Sequence, residues 1–344
     1  MQALVKLRKG YDQMQLVDIP EPQTSGNLVK IKVAYAGICG TDIHTFEGVY
    51  AANKPPVVLG HEFSGVVTQV GELVETVKIG DRVTSETTFS VCGACEFCRE
   101  REYNLCADRK GMGTQADGGF AEYVVAPESS VHVLPPEVGL LAAAVTEPLA
   151  CCVHGALEKT SVKPGDVALV FGPGAMGLLC SQLLLSQGVK VILAGVTRDA
   201  ARLELAKAMG VEPAVDQLTQ DLAAIVDKQT NGRGVDRVFE CSGVVAALNT
   251  GLRLAAKKAD VVQLGVFKED MNLIDTSVFF PREIRYIGSR TQKPSSWETA
   301  LELMRMGAVK PELVVTRTIP LEDWRTGFAL IRDCAEVKVV VQMQ

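Results

Sequence analysis

Between Val167 and Val189 the chain carries no charge, and Gly-Pro-Gly breaks this apolar run at its sixth residue. No other stretch narrows the possible folds as much. Its 23 residues are enough to cross a bilayer. The glycine turn, and Ser181, Gln182, Ser186 and Gln187 beyond it, argue against a membrane helix. The pattern predicts a buried strand, a tight turn and a helix, with glycines spaced G-x-G-x-x-G at the junction. Gly172 permits the turn, Gly174 lets a pyrophosphate approach the backbone, and Gly177 lets the helix lie close to the strand. Ala175 and Met176 open that helix, whose unpaired N–H groups attract phosphate.

The next strand is expected at 189–196. A carboxylate about 20 residues past the glycines would hold ribose hydroxyls. Thr197 and Arg198 stand there instead, with Asp199 expected to cap a helix. A small hydroxyl beside a guanidinium suits a 2′-phosphate, so Thr197, Arg198 and Arg202 point to NADP(H) slightly ahead of NAD(H). The plainer reading makes both arginines solvated helix charges. Buried strands are also expected at 234–243 and 259–267, and strand–helix alternation of this kind predicts a doubly wound parallel sheet.

At 344 residues the chain is long enough for two domains. Its formal net charge is −6 and no Lys/Arg run forms a basic arm, which disfavours a nucleic-acid partner. The N-terminus lacks the apolar stretch of a signal peptide. The expected setting is cytoplasmic, where thiols stay reduced, with no membrane partner.

Cys92, Cys95, Cys98 and Cys106 follow the spacing C-x2-C-x2-C-x7-C. Disulfides are disfavoured by the compartment, and common iron–sulfur spacings place the fourth cysteine differently. Four thiolates around one tetrahedral Zn²⁺ remain the best reading. Such a closed site staples a loop and leaves no position for substrate.

Cys39, His61, Glu62 and Glu147 form a second, dispersed set. They have the chemistry of a catalytic zinc site with one open position. From spacing alone they are equally readable as half-buried residues without a metal. A carboxylate after the apolar run Val57-Val58-Leu59, as Glu62 is, needs a partner if buried.

The motifs "GICGTD" (37–42), "GHEFSGVV" (60–67), the four-cysteine lobe, "DGGFAEYVV" (117–125), "TEPLACCVHG" (146–155) and "GPGAMG" (172–177) together resemble the zinc-dependent medium-chain alcohol/polyol dehydrogenases. The branch is that of sorbitol, galactitol-phosphate and threonine dehydrogenases, and the resemblance spans nearly the whole chain. It implies a β-rich, GroES-like catalytic domain over 1–150, completed by 288–344, and a Rossmann domain over 151–287, with the active site in the cleft between them. It implies two zincs per subunit: a structural one on the four cysteines and a catalytic one on Cys39, His61 and a carboxylate. Glu62 is the ligand in the polyol branch, and Glu147 binds directly or through water. Cys241, Ser242, Gly265, Val266, Ser289 and Arg290 would flank the cofactor, and Lys338 would help hold its pyrophosphate.

The reaction implied is reversible oxidation of a secondary alcohol of a polyol or sugar derivative to a ketone, by Lewis-acid zinc and hydride transfer to NAD(P)+. Thr41 and His44 match the positions that relay the hydroxyl proton to solvent. A threonine-like amino alcohol is the alternative substrate, and a non-catalytic binding relative of the fold is the rival class. Kinship also implies a homo-oligomer, dimer or tetramer.

Overall fold

The computed structural model describes residues 1–343. The chain forms two units, one of Met1–Glu147, Lys293–Arg305 and Pro311–Gln344, the other of Pro148–Gln292 and Met306–Lys310. The return to the first unit comes later than the expected residue 288. That residue ends a strand, Arg285–Gly288, which pairs with Ala255–Gln263 and stays in the second unit. Among the described residues no helix is long and apolar enough to cross a membrane.

The apolar run of the second unit resolves into strand Val167–Phe171 and helix Ala175–Ser186. Every residue of that strand is buried, as expected when both faces of a parallel sheet are covered. Six parallel strands lie in the spatial order Ala214–Asp216, Lys190–Gly195, Val167–Phe171, Val235–Glu240, Ala255–Gln263, Arg285–Gly288. Chain order therefore reverses between Val167–Phe171 and Val235–Glu240, the switch point where such sheets bind ligands at their carboxyl ends. Leu169, Phe171, Ile192, Val238 and Leu248 pack into one apolar cluster on this sheet.

The first unit is built on an antiparallel core. Strand Leu28–Gly37 pairs with Glu62–Val70, with Tyr123–Pro127 and with Lys338–Gln342. Gly37 stands opposite Glu62 in one neighbour and Val340 in the other. The end of one strand and the starts of two others thus meet, which brings Cys39, Glu62 and Lys338 together at one end of the sheet's central strands. Helix Gly40–Glu47 begins directly after Cys39 and stops at Gly48. The φ of +80° at Gly48 lets its N–H return to the carbonyls of His44 and Thr45, a left-handed stop that favours glycine. Aromatic residues Phe46, Trp324 and Phe328 pack edge to face beneath this helix.

Candidate active site

The ligand atoms of Cys39, His61 and Glu62 lie within 4.8 Å of one another. The two latter side chains are buried. A soft thiol, an imidazole and a carboxylate brought this close together are the donors a catalytic zinc takes. The charge balance points the same way. Burial opposes protonation of His61, yet Cys39, Asp42 and Glu147 outweigh it and hold the ring well above the usual imidazole range. A cluster so rich in acidic groups fits a bound cation.

Glu62 has a second partner. Its Oε2 faces the Lys338 ammonium, and both side chains are under 5% exposed. Lys338 Nζ also donates to the Ile38 carbonyl at 3.0 Å. Burial pulls the Lys338 ammonium down, but Glu62 and then Cys39 outweigh it and hold it above the ordinary lysine range. Lys338, for which the resemblance implies a pyrophosphate role, thus faces a carboxylate of the donor set. Gly37 makes room for the pair. A methyl group there would collide with Glu62 Oε2 and come within 3.0 Å of Lys338 Cε.

Two further groups orient the donors. Cys39 N–H donates to Asp42 Oδ2 at 2.9 Å, and Asp42 Oδ1 lies 3.8 Å from His61 Nδ1. Burial raises the Asp42 carboxyl against the pull of His61. Asp42 was not singled out from the sequence, although an acid three residues past an N-cap, here Cys39, is a recognisable capping signal. Thr41 Oγ1 stands 3.4 Å from His61 Nε2. His44 lies one turn further on, 44% exposed, with Nδ1 3.7 Å from Glu47. Thr41 and His44 both lie on helix Gly40–Glu47. Glu147 is buried and acts on His61 and Lys338 through its charge, but it stands outside the trio.

The four lobe cysteines converge as well, all within 4.8 Å. The sulfurs of Cys92 and Cys98 are 3.8 Å apart, Cys95 N–H donates to Cys92 Sγ at 3.4 Å, and Cys92 N–H donates to Cys106 Sγ at 3.5 Å. Backbone N–H groups of Ala94 and Cys95 pull the Cys92 thiol down to about 6, while burial pushes Cys98 up to about 12. All ten cysteines are free thiols.

In the second unit, Gly172 has φ +91°, and a Cβ on Gly177 would collide with the Gly172 carbonyl oxygen. Both glycines are therefore required by the turn. Gly174 has open space around its missing Cβ, at the N-cap of helix Ala175–Ser186, where a pyrophosphate would sit. Glu240, buried at the end of its strand, was missed from the sequence. Its carboxylate accepts from the Ser242 hydroxyl, from Ser242 N–H at 2.8 Å and from Gly243 N–H at 3.1 Å, which fixes the loop beside Gly172. Cys241 N–H donates to the Phe171 carbonyl at 3.0 Å. Its thiol is turned inward onto Cys180, which with burial holds it above its ordinary range. Gly265 and Val266 follow the next strand, and Val266 is exposed. Ser289 Oγ is buried without a hydrogen-bond partner, as a hydroxyl awaiting a ligand is.

Thr197 and Arg198 are exposed past the second strand. Thr197 Oγ1 donates to Asp216 Oδ2 at 2.8 Å, so an acid from the neighbouring strand stands where adjacent sequence had none. Asp199 accepts from Val196 N–H at 3.1 Å and lies 3.7 Å from Arg202, which makes Arg202 part of an ion pair rather than a solvated charge.

Comparison with known proteins shows which family the chain is similar to. Residues 25–136 match the alcohol dehydrogenase GroES-like domain, and residues 175–306 match the zinc-binding dehydrogenase domain. The chain is 46% identical over 342 residues to D-arabitol-phosphate dehydrogenase of Enterococcus avium, covering 99% of this chain and 97% of that one. It is 43% identical over 341 residues to sorbitol dehydrogenase of Halalkalibacterium halodurans, covering 99% of each. A structure described as a zinc-binding dehydrogenase from Sinorhizobium meliloti 1021 bound to NADP superposes with TM-score 0.90 at 34% identity, covering 99% of this chain and 98% of that one.

Proposed function

We propose, from the premise that this chain belongs to the zinc-type medium-chain polyol dehydrogenase family, that it reversibly oxidises a secondary hydroxyl of a polyol or polyol phosphate to a ketone. It is an NAD(P)-dependent oxidoreductase acting on a small molecule, with a GroES-like domain and a Rossmann domain. The observation that carries the substrate reading is the convergence of Cys39, His61 and Glu62, a donor set with a carboxylate as its third member.

Cys39, His61 and Glu62 would hold a catalytic zinc, and the four lobe cysteines a structural one. The chemistry supplied at the first site is Lewis-acid activation of an alcohol hydroxyl, and that supplied by the nicotinamide is acceptance of a hydride. Asp42 and Lys338 keep the donors in place. Thr41, beside His61, takes the hydrogen bond of the reacting hydroxyl. His44, open to solvent, releases the proton by way of an intervening water.

Gly172, Gly174 and Gly177, with Ala175 and Met176, cradle the pyrophosphate, and Ser242, Gly265 and Ser289 border it. Arg198 favours NADP(H), and Asp216 tempers that preference. Ten free thiols suit a reducing compartment such as the cytoplasm. Exposed Phe280, Leu273 and Met271 precede the edge strand Arg285–Gly288, which offers an unpaired side to a second copy; we place the homo-oligomer contact there.

The test is a spectrophotometric screen of polyols and their phosphates with NAD+ and NADP+ in parallel. Reduced nicotinamide should accumulate with at least one polyol-type substrate. Activity confined to simple primary alcohols or to threonine would overturn the reading.

A further inference from the structure

At the far end of helix Gly40–Glu47 lies a cavity of about 100 Å³ that no step above uses. Lys6, Lys9, Tyr50 and Asn53 line it, and no acidic residue does. Lys6 is 2% exposed. Its ammonium donates to the Gly10 carbonyl at 2.6 Å and the Thr45 carbonyl at 2.7 Å, both neutral. The nearest acid acting on it, Asp12, is taken up by Arg325 at 2.8 Å. Burial depresses the Lys6 ammonium below its ordinary range, and Asp12 only partly restores it.

Asn53 is the second, independent observation. It is 4% exposed, and neither its amide nitrogen nor its amide oxygen has a hydrogen-bond partner. A buried amide with both ends unmet is costly and marks a place where a ligand completes the hydrogen bonding.

We propose that this cavity is a binding site for a phosphate-sized oxyanion, with Lys6 and Lys9 supplying charge and Asn53 supplying a donor to it. The Asn53 oxygen accepts from a hydroxyl of the ligand, as monohydrogen phosphate or a phosphorylated polyol provides. A sulfate-like ion without a proton would leave that oxygen unmet and bind more weakly. The ligand is either the phosphate of the substrate, a possibility that rests on the polyol reading, or free phosphate acting alongside it.

The site is tested by calorimetric titration of the full-length, metal-loaded protein with inorganic phosphate, sulfate and D-arabitol phosphate. Wild type should bind at least one of the two phosphates more tightly than sulfate. Asn53→Asp, nearly isosteric but negative, and Lys9→Ala, at the exposed rim, should each weaken that binding about tenfold or more. Absence of phosphate and arabitol-phosphate binding in wild type, or equal binding in both variants, overturns the proposal. Kinetics separate the sources. If Asn53→Asp raises KM for arabitol phosphate but not for arabitol, the substrate's phosphate occupies the cavity. If it removes phosphate binding and leaves both KM values unchanged, the ligand is free phosphate. Should the chain oxidise neither compound, the polyol reading fails while the titration still decides the site.

Discussion

Lys338 and Glu62 face one another across the end of the central strand Leu28–Gly37, each nearly sealed from solvent, in the space that Gly37 leaves open. Removing one member of a buried ion pair typically costs about 3–5 kcal/mol, because the other charge is left uncompensated. Lys338→Met should therefore lower the melting temperature sharply in chelator-treated protein. The drop should shrink when zinc is restored, since Glu62 then regains a cation. Lys338→Met combined with Glu62→Gln should be less destabilised than the single variant, as a thermal double-mutant cycle would show. Additive losses would mean that the two side chains are not coupled.

His61→Ala should abolish turnover and release one zinc while leaving the other bound. The lobe cysteines share no residue with the Cys39, His61, Glu62 trio, so the two sites should empty independently. Elemental analysis of the purified variant checks this, and two zincs retained per chain would contradict the ligand assignment.

Much of this site was legible because its chemistry is written in local spacing. The four-cysteine lobe and the glycine turn each occupy one short stretch, and the chain places them as the spacing implies. The dispersed trio needed family resemblance, because strand pairing, and not sequence proximity, brings Cys39 to Glu62. The same cause hid the partners. Lys338 reaches Glu62 from strand Lys338–Gln342, and Asp216 reaches Thr197 from a neighbouring parallel strand, contacts that only sheet order creates. Glu240 was passed over because a single acid at the end of a strand gives no periodic signal; its purpose is visible only once the Ser242 and Gly243 N–H groups are seen to point at it.

Cofactor choice should turn on Arg198 and Asp216. On the proposed reading, Arg198→Ala would remove a charge-assisted contact to the 2′-phosphate worth about 1.5–3 kcal/mol, so NADP(H) should weaken tenfold or more, with little change for NAD(H). Asp216 accepts the Thr197 hydroxyl and repels a nearby 2′-phosphate. Asp216→Asn should accordingly strengthen NADP(H) relative to NAD(H). Dissociation constants from nicotinamide fluorescence provide the readout, and equal effects on both cofactors would refute a 2′-phosphate contact.

Phe280 is 95% exposed, just before the edge strand that would meet a second copy. Phe280→Asp places a charge in that contact and should shift the protein to a smaller species in light scattering, with its circular dichroism unchanged. An unchanged mass would move the interface elsewhere.

Metal removal from the cysteine lobe should depend on pH with a definite sign. Zinc binds thiolates, so protons compete with it. Cys98, pushed up to about 12, is a thiol at neutral pH before metal binds, whereas Cys92, at about 6, is already largely ionised. Binding must displace the Cys98 proton, so affinity rises with pH and falls as acid protonates Cys92 in turn. Chelator should strip the lobe faster at pH 5.5 than at pH 8, and rebinding to stripped protein should release protons in a weakly buffered titration. Cys98→Ser should lose this zinc and stability together, yet keep measurable turnover at low temperature, because the lobe contributes no ligand to the Cys39, His61, Glu62 trio. Complete loss of turnover in folded Cys98→Ser protein would instead tie the lobe to the chemistry.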